Sequence, residues 1–181
     1  MTQPIILVTG STDGIGKATA RELALAGAHV ILHGRDREKG EKVQREIKNI
    51  SWNTELDLLV SDLSSLSNVR RLAEEIVLAY DRLDVLINNA GTYELRRRLT
   101  EDGIETTFAV NYLSPFLLTR LLLPLLRKSA PSRVVNMASI AHRDVRRIEW
   151  DNLQGERQYN AFEAYAQSKL VQVLKGRVLE V

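Results

Sequence analysis

Tyr165 and Lys169 stand four positions apart in the run Tyr165-Ala166-Gln167-Ser168-Lys169. On a helix that spacing puts both side chains on one face, with Cβ atoms about 5–6 Å apart. An ordinary tyrosine has a pKa near 10, so only about one in a thousand is ionised at neutral pH, and a neighbouring ammonium favours the phenolate. The pair is therefore suited to giving or taking a proton.

A second run suits an anion. Thr9-Gly10-Ser11-Thr12-Asp13-Gly14-Ile15-Gly16 follows an apolar stretch, Ile5 to Val8, and precedes a helical pattern. Gly10 permits a sharp strand-to-helix turn, Gly14 lets backbone approach a ligand, and Gly16 lets the helix pack closely. The first-turn N–H groups of that helix then face an anion, and the whole reads as a cradle for a dinucleotide pyrophosphate, with Ser11, Thr12, Asp13 and Ile15 completing the loop.

The elements that must position these residues alternate between β-branched apolar runs and longer segments of 3.6 periodicity, the pattern of βαβ units in a parallel sheet. Strands are expected at Pro4–Val8, Ala28–Leu32, Glu55–Val60, Val85–Ile87 and Arg133–Met137. Helices are expected near Gly14–Ala26, Arg37–Lys48, Ser64–Tyr80 and Glu101–Lys128, with a last one from about Asn160 towards Leu174. Gly27 suits the position after a helix end, and Ser64 can cap the third helix. In open α/β sheets ligands bind beyond the carboxyl ends of the strands. Asp62-Leu63, Asn88-Asn89-Ala90-Gly91 and Ser139 all fall there.

The chain of 181 residues suits one domain, 1–181, with no repeat, linker or low-complexity tract. Its formal net charge is +2, with basic and acidic residues interspersed, so nothing argues for nucleic acid. Cysteine is absent, which removes disulfides and thiolate metal sites and fits a reducing compartment; a cytoplasmic location is the expectation, and no metal site is assigned. The N-terminus carries no basic-then-apolar signal. The longest apolar stretch, Leu113 to Leu126, is too short for a membrane span and is broken by Pro115, Arg120 and Pro124, so it reads as a core helix kinked near Pro124.

Taken together and in order, Gly10/Gly14/Gly16, Asp62-Leu63, Asn88-Asn89-Ala90-Gly91, Ser139 and Tyr165-x-x-x-Lys169 resemble the short-chain dehydrogenase/reductase family over the whole chain. The spacing Thr-Gly-x-x-x-Gly-x-Gly is similar to its classical branch rather than to the extended, epimerase-like one. The resemblance implies a Rossmann fold, a doubly wound parallel sheet of strand order 3-2-1-4-5. It implies stereospecific hydride transfer between nicotinamide and a carbonyl or alcohol carbon, a small-molecule substrate. It further implies a catalytic tetrad of Asn111, Ser139, Tyr165 and Lys169, in which the lysine also holds the nicotinamide ribose, the serine bonds the substrate oxygen and the asparagine completes a proton relay. Asp62 resembles the residue that meets the adenine amino group, and Leu63, Asn89, Ala90 and Gly91 complete the cofactor-binding set. A homodimer paired through helices is left open.

After the second strand the chain reads His33-Gly34-Arg35-Asp36. Members of the family that prefer NAD carry an acid near the place of Gly34, so glycine there with Arg35 beside it favours a 2′-phosphate, and NADP is expected in preference to NAD. Asp36 reads as a helix N-terminal acid. Ser139 and Tyr165 lie 26 positions apart, about twice the usual separation in the family. That stretch, with His142, Ile148, Trp150 and Leu153, and the run Tyr165-x-x-Ser168-Lys169-Leu170 resemble the retinol-dehydrogenase-like subgroup, implying a lipophilic substrate. Trp150 and Leu153 are read as lining its pocket or as a hydrophobic latch on a surface loop. The family continues with two more strands and a lid, and Val171 to Val181 depart from the usual continuation. A truncated chain lacking the family's last two strands is therefore expected. The alternative function is a catalytically weak nucleotide-binding or interaction module.

Overall fold

A computed structural model describes residues 3–176. Five strands form one parallel sheet in the order β3-β2-β1-β4-β5: β1 Ile5–Val8, β2 His29–Gly34, β3 Leu56–Val60, β4 Val85–Asn88 and β5 Arg133–Asn136. Because a parallel sheet is covered on both faces, β1 is apolar at every position, and β2 and β4 carry apolar runs, Val30–Leu32 and Val85–Ile87, rather than an alternation. In β1, Ile6 and Val8 enter the core on the side of Ala20, Ala24, Val43 and Ile47, while Ile5 and Leu7 face Leu72, Ile76, Leu118 and Leu122 on the other.

The first of these cores lies under α1 (Gly14–Leu25) and α2 (Arg37–Ser51), the second under α3 (Leu66–Ala79) and the helical run that follows β4. That run comprises a short α4 (Thr106–Phe108), a five-residue π turn (Ala109–Leu113) and α5 (Ser114–Lys128). It begins five residues later than the sequence suggests. Gly103 takes φ +73°, Leu99 bridges Glu105, and the Glu105 carboxylate accepts from the N–H groups of Thr107 and Phe108 to start the helix there. Pro124 stays inside α5, and Ser65 rather than Ser64 caps α3, accepting from Asn68 N. Asp36 caps α2 as expected, accepting from Lys39 N.

The 23 residues Thr106–Lys128 are, by length and composition alone, long and apolar enough to cross a membrane, so the apolar stretch read as too short belongs to a longer helix. Half of its apolar window is buried inside the molecule, where α5 packs on α3 and the sheet. The last element, α6 (Ala161–Gly176), lies against the π turn, α4 and a 3₁₀ turn at Ile140–Arg143. Among the described residues β5 has β4 on one side only, and Val135 is 42% exposed. Of the departing stretch Val171 to Val181, residues 177–181 lie outside the described ones.

Candidate active site

The carboxyl ends of β1, β2, β3, β4 and β5 all open into one cleft of about 1080 Å³. At its centre the glycine loop turns from β1 into α1. Gly10 holds φ +64°, and a Cβ there would stand 2.9 Å from the Cα of Ala90, so both backbone sign and space require glycine. The loop is tied to its neighbours. Thr9 Oγ1 accepts from the N–H groups of Asn89 and Ala90, and Asn89 Nδ2 donates to the carbonyls of Thr9 and Gly10. Asp13 caps α1 by accepting from Gly14 N and pairs with Lys39 at 2.6 Å. The Lys39 hydrogen bond and then the Gly14 N–H hold its carboxyl below the usual range.

Ser11 is fully buried and turned away from the cleft, its hydroxyl accepting from His33 N at 2.8 Å, so it serves the β1–β2 junction. His33, which the sequence reading passed over, is 2% exposed and its Nδ1 accepts from Gly10 N at 3.2 Å. An acceptor at Nδ1 places the ring proton on Nε2. Burial pushes the ring pKa down to about 4, against the Ser61 carbonyl and the Asp62 charge, so the imidazole is neutral and props the glycine turn. Gly34 sits under Thr12, where a Cβ would lie 2.5 Å from the threonine methyl. Exposed Arg35 and Asp62 line the cleft beside Thr12, together with Leu63 and Ser64, and Asp62 Oδ1 accepts from Ser64 N.

The far end of the cleft is formed by Ser139, Tyr165 and Lys169, with Gly91, Thr92, Tyr93 and Met137 around them. Ser139 begins the 3₁₀ turn, accepting from Ala141 N, while its carbonyl accepts from His142 Nδ1 at 2.6 Å. α6 carries Tyr165 and Lys169 on one face, the ammonium 5.7 Å from the phenol ring centroid. Tyr93 packs against Tyr165, ring centroids 5.5 Å apart. Lys169 is 4% exposed; its ammonium donates to Met137 O at 2.9 Å and to Gln172 Oε1 at 3.1 Å. Burial pushes its pKa down to about 8.

Asn111 stands behind this wall rather than in the cleft. It is fully buried on the π turn, its Oδ1 accepts from Thr92 N at 2.7 Å, and its Nδ2 donates to Thr92 O and to Ser168 Oγ at 3.0 Å each. The side chain braces the Gly91-Thr92 strand exit against α6.

The long stretch between Ser139 and Tyr165 closes on the loop after β4. Arg97 Nε donates to Gln154 O, Glu105 N to Gln154 Oε1, and the Tyr159 hydroxyl to Glu94 O. Trp150 is 72% exposed, and neither it nor Leu153 lines the cleft; Leu153 faces a smaller hollow beside Arg146 and Tyr159. Of the two readings for this pair, pocket lining does not hold.

A parallel sheet of order 3-2-1-4-5, with a glycine turn at its centre and a Tyr/Lys helix at one end of the same cleft, defines a Rossmann-like, doubly wound fold. The family model described as short chain dehydrogenase matches residues 4–150, and the chain belongs to that family. It is similar to human retinol dehydrogenase 11, 47% identical over 170 residues covering 94% of this chain and 53% of that protein. It is also similar to human retinol dehydrogenase 13, 45% identical, covering 93% of this chain and 51% of that protein. The chain thus spans about half the length of the curated relatives it matches. Among solved structures, an uncharacterised protein from Mycobacterium paratuberculosis superposes with a TM-score of 0.82 at 39% identity, covering 96% of this chain and 60% of that one. A short chain dehydrogenase from Escherichia coli CFT073 complexed with NADPH superposes at 0.79 with 31% identity, covering 98% and 70%.

Proposed function

We propose that the protein carries out NADP-dependent hydride transfer between nicotinamide and a carbonyl or alcohol substrate of lipophilic character. The observation that carries this reading is the placement of a buried ammonium, Lys169, and a cleft-lining phenol, Tyr165, at one end of a cleft whose centre is a glycine turn at a helix N-terminus. The residues present fit the cofactor. Gly10 keeps the cradle open, the N-terminus of α1 lines it through Gly14, Ile15 and Gly16, and Arg35 on the cleft wall is suited to meeting a 2′-phosphate. Asp62 at the rim is suited to the adenine amino group.

When bound, the nicotinamide supplies the hydride. The chain's own residues then handle the oxygen. Tyr165 gives its proton to the forming alkoxide, or takes it in the reverse direction, and Ser139 donates a hydrogen bond to the same oxygen. Lys169 faces the cleft as a cation and holds the ribose, while Asn111 keeps the Thr92 backbone and α6 in place. Tyr93, Leu99 and Val110 give the substrate end an apolar lining, and the names of the relatives are in keeping with a lipophilic alcohol.

The test is an assay of aldehyde and ketone reduction with NADPH, run beside a cofactor titration. Tyr165→Phe is expected to lower turnover by about 10²–10⁴-fold, the range for a positioned acid, while leaving cofactor affinity nearly unchanged. Substantial turnover in Tyr165→Phe would remove Tyr165 as the acid. Cofactor binding without turnover by the starting protein would instead support a nucleotide-binding module.

A further inference from the structure

We infer that Gln172 is a positioning residue for Lys169: its side-chain carbonyl keeps the ammonium charged and directs it at the cleft where no carboxylate is at hand. The inference rests on the proposed function for its purpose, and on the geometry of α6 for its evidence. Gln172 is 1% exposed and follows Lys169 by three positions, so the two side chains share a face of the helix. Its Oε1 accepts from Lys169 Nζ at 3.1 Å, whereas its Nε2 is buried with no partner among the described residues.

That half-satisfied amide is informative. Turned over, the amide would set its N–H donors against the ammonium, which has donors only, so Lys169 decides which way it faces. A buried amide N–H without an acceptor destabilises a fold, and methionine of similar volume would avoid the penalty. Among the described residues the ammonium is the one group that uses this amide, which ties the glutamine to Lys169. Among the described residues no ion pair involves Lys169. The ionisable side chains on or beside the elements packed on α6 are Tyr93, Glu105, Tyr112, Arg133, His142 and Arg143, and α6 itself adds Glu163 and Tyr165; the Tyr165 ring stands 5.7 Å from Nζ, and none of these groups is a hydrogen-bond or ion-pair partner of Nζ. The Glu105 carboxylate is occupied by Thr107 N, Phe108 N and the Tyr159 hydroxyl. Neutral acceptors alone hold the charge.

An ammonium has three N–H donors. Two are taken by Met137 O and Gln172 Oε1, and the third is left for the cleft. The anchor matters because burial already brings the pKa of Lys169 to about 8, close to the working range. Losing one acceptor makes the charged form harder to keep.

The experiment compares Gln172→Met and Gln172→Glu with the starting protein, following the Lys169 ammonium by NMR across pH, its signal assigned through Lys169→Arg. Thermal midpoints and NADPH titrations at two pH values accompany it. Gln172→Met is expected to lower the Lys169 midpoint by about one pH unit, the scale of one hydrogen bond to a charged group, with an unchanged or higher thermal midpoint. NADPH affinity in that variant should fall more above the midpoint than below it. Gln172→Glu is expected to raise the midpoint by a similar amount. An unmoved Lys169 midpoint in both variants, whatever the thermal change, would overturn the inference. A starting protein that neither binds NADPH nor reduces carbonyls would overturn the proposed function and leave the Lys169 titration as a separate result.

Discussion

At the scale of single residues, the proposed preference for NADP rests on Gly34 and Arg35, and the two are not equally informative. A side chain at Gly34 would run into Thr12, whose methyl is 2.5 Å from where its Cβ would be, so glycine there also keeps the cradle packed. Replacing it by aspartate would test packing and ribose recognition at once. Arg35 is exposed on the cleft wall and free of that complication. Charge-assisted hydrogen bonds to a phosphate contribute about 1.5–3 kcal/mol, so Arg35→Ala should weaken NADPH by roughly 10–100-fold. NADH affinity should stay nearly constant. Fluorescence titration of both cofactors checks this, and an equal loss for the two would mean that Arg35 does not read the 2′-phosphate.

At the scale of elements, the π turn Ala109–Leu113 is what brings Asn111 under the strand exit. Its three hydrogen bonds join β4's continuation to α6, so Asn111→Ala should leave the half-buried N–H and carbonyl of Thr92 unpaired, while Ser168 Oγ keeps its bond to Tyr165 O. Each such group costs about 1–3 kcal/mol, and a drop of that size or more in the denaturant midpoint is expected, with turnover lost in parallel. Full stability with lost turnover would assign Asn111 to chemistry alone. The π turn itself left no trace in the amino-acid sequence, because its residues, Ala-Val-Asn-Tyr-Leu, are compatible with an ordinary helix. The strands were readable for the opposite reason. Ile5–Val8 and Val30–Leu32 are apolar on both faces, as a sheet covered twice demands. Tyr165 and Lys169 were readable through helical spacing. His33 and Gln172 were not, since a lone buried histidine or glutamine carries no periodic signal and gains meaning only from the partner that folding delivers.

At the scale of the whole molecule, His33 makes the acid stability of the fold depend on the cofactor cradle. The ring ties β2 to the β1 loop, and that loop is tied in turn to β4 through Thr9 and Asn89. Protonation would put a donor on Nδ1 against the Gly10 N–H, so the native state keeps the ring neutral down to about pH 4, while an unfolded histidine takes its proton near the ordinary value of 6.5. The folded state therefore binds fewer protons between those two values. The contribution is fully present above about pH 6.5 and is lost progressively as pH falls towards 4, a span that corresponds to roughly 3 kcal/mol. His33→Asn offers Gly10 N–H an acceptor that does not titrate. Its denaturant midpoint should change less between pH 7 and pH 5 than that of the starting protein, by close to one proton's worth of slope. Under the proposed function NADPH in excess should raise the stability of both proteins, as any ligand of the native state alone does. If the two proteins lose stability in step across that range, the acid sensitivity belongs to other groups and His33 is only a spacer beneath the loop.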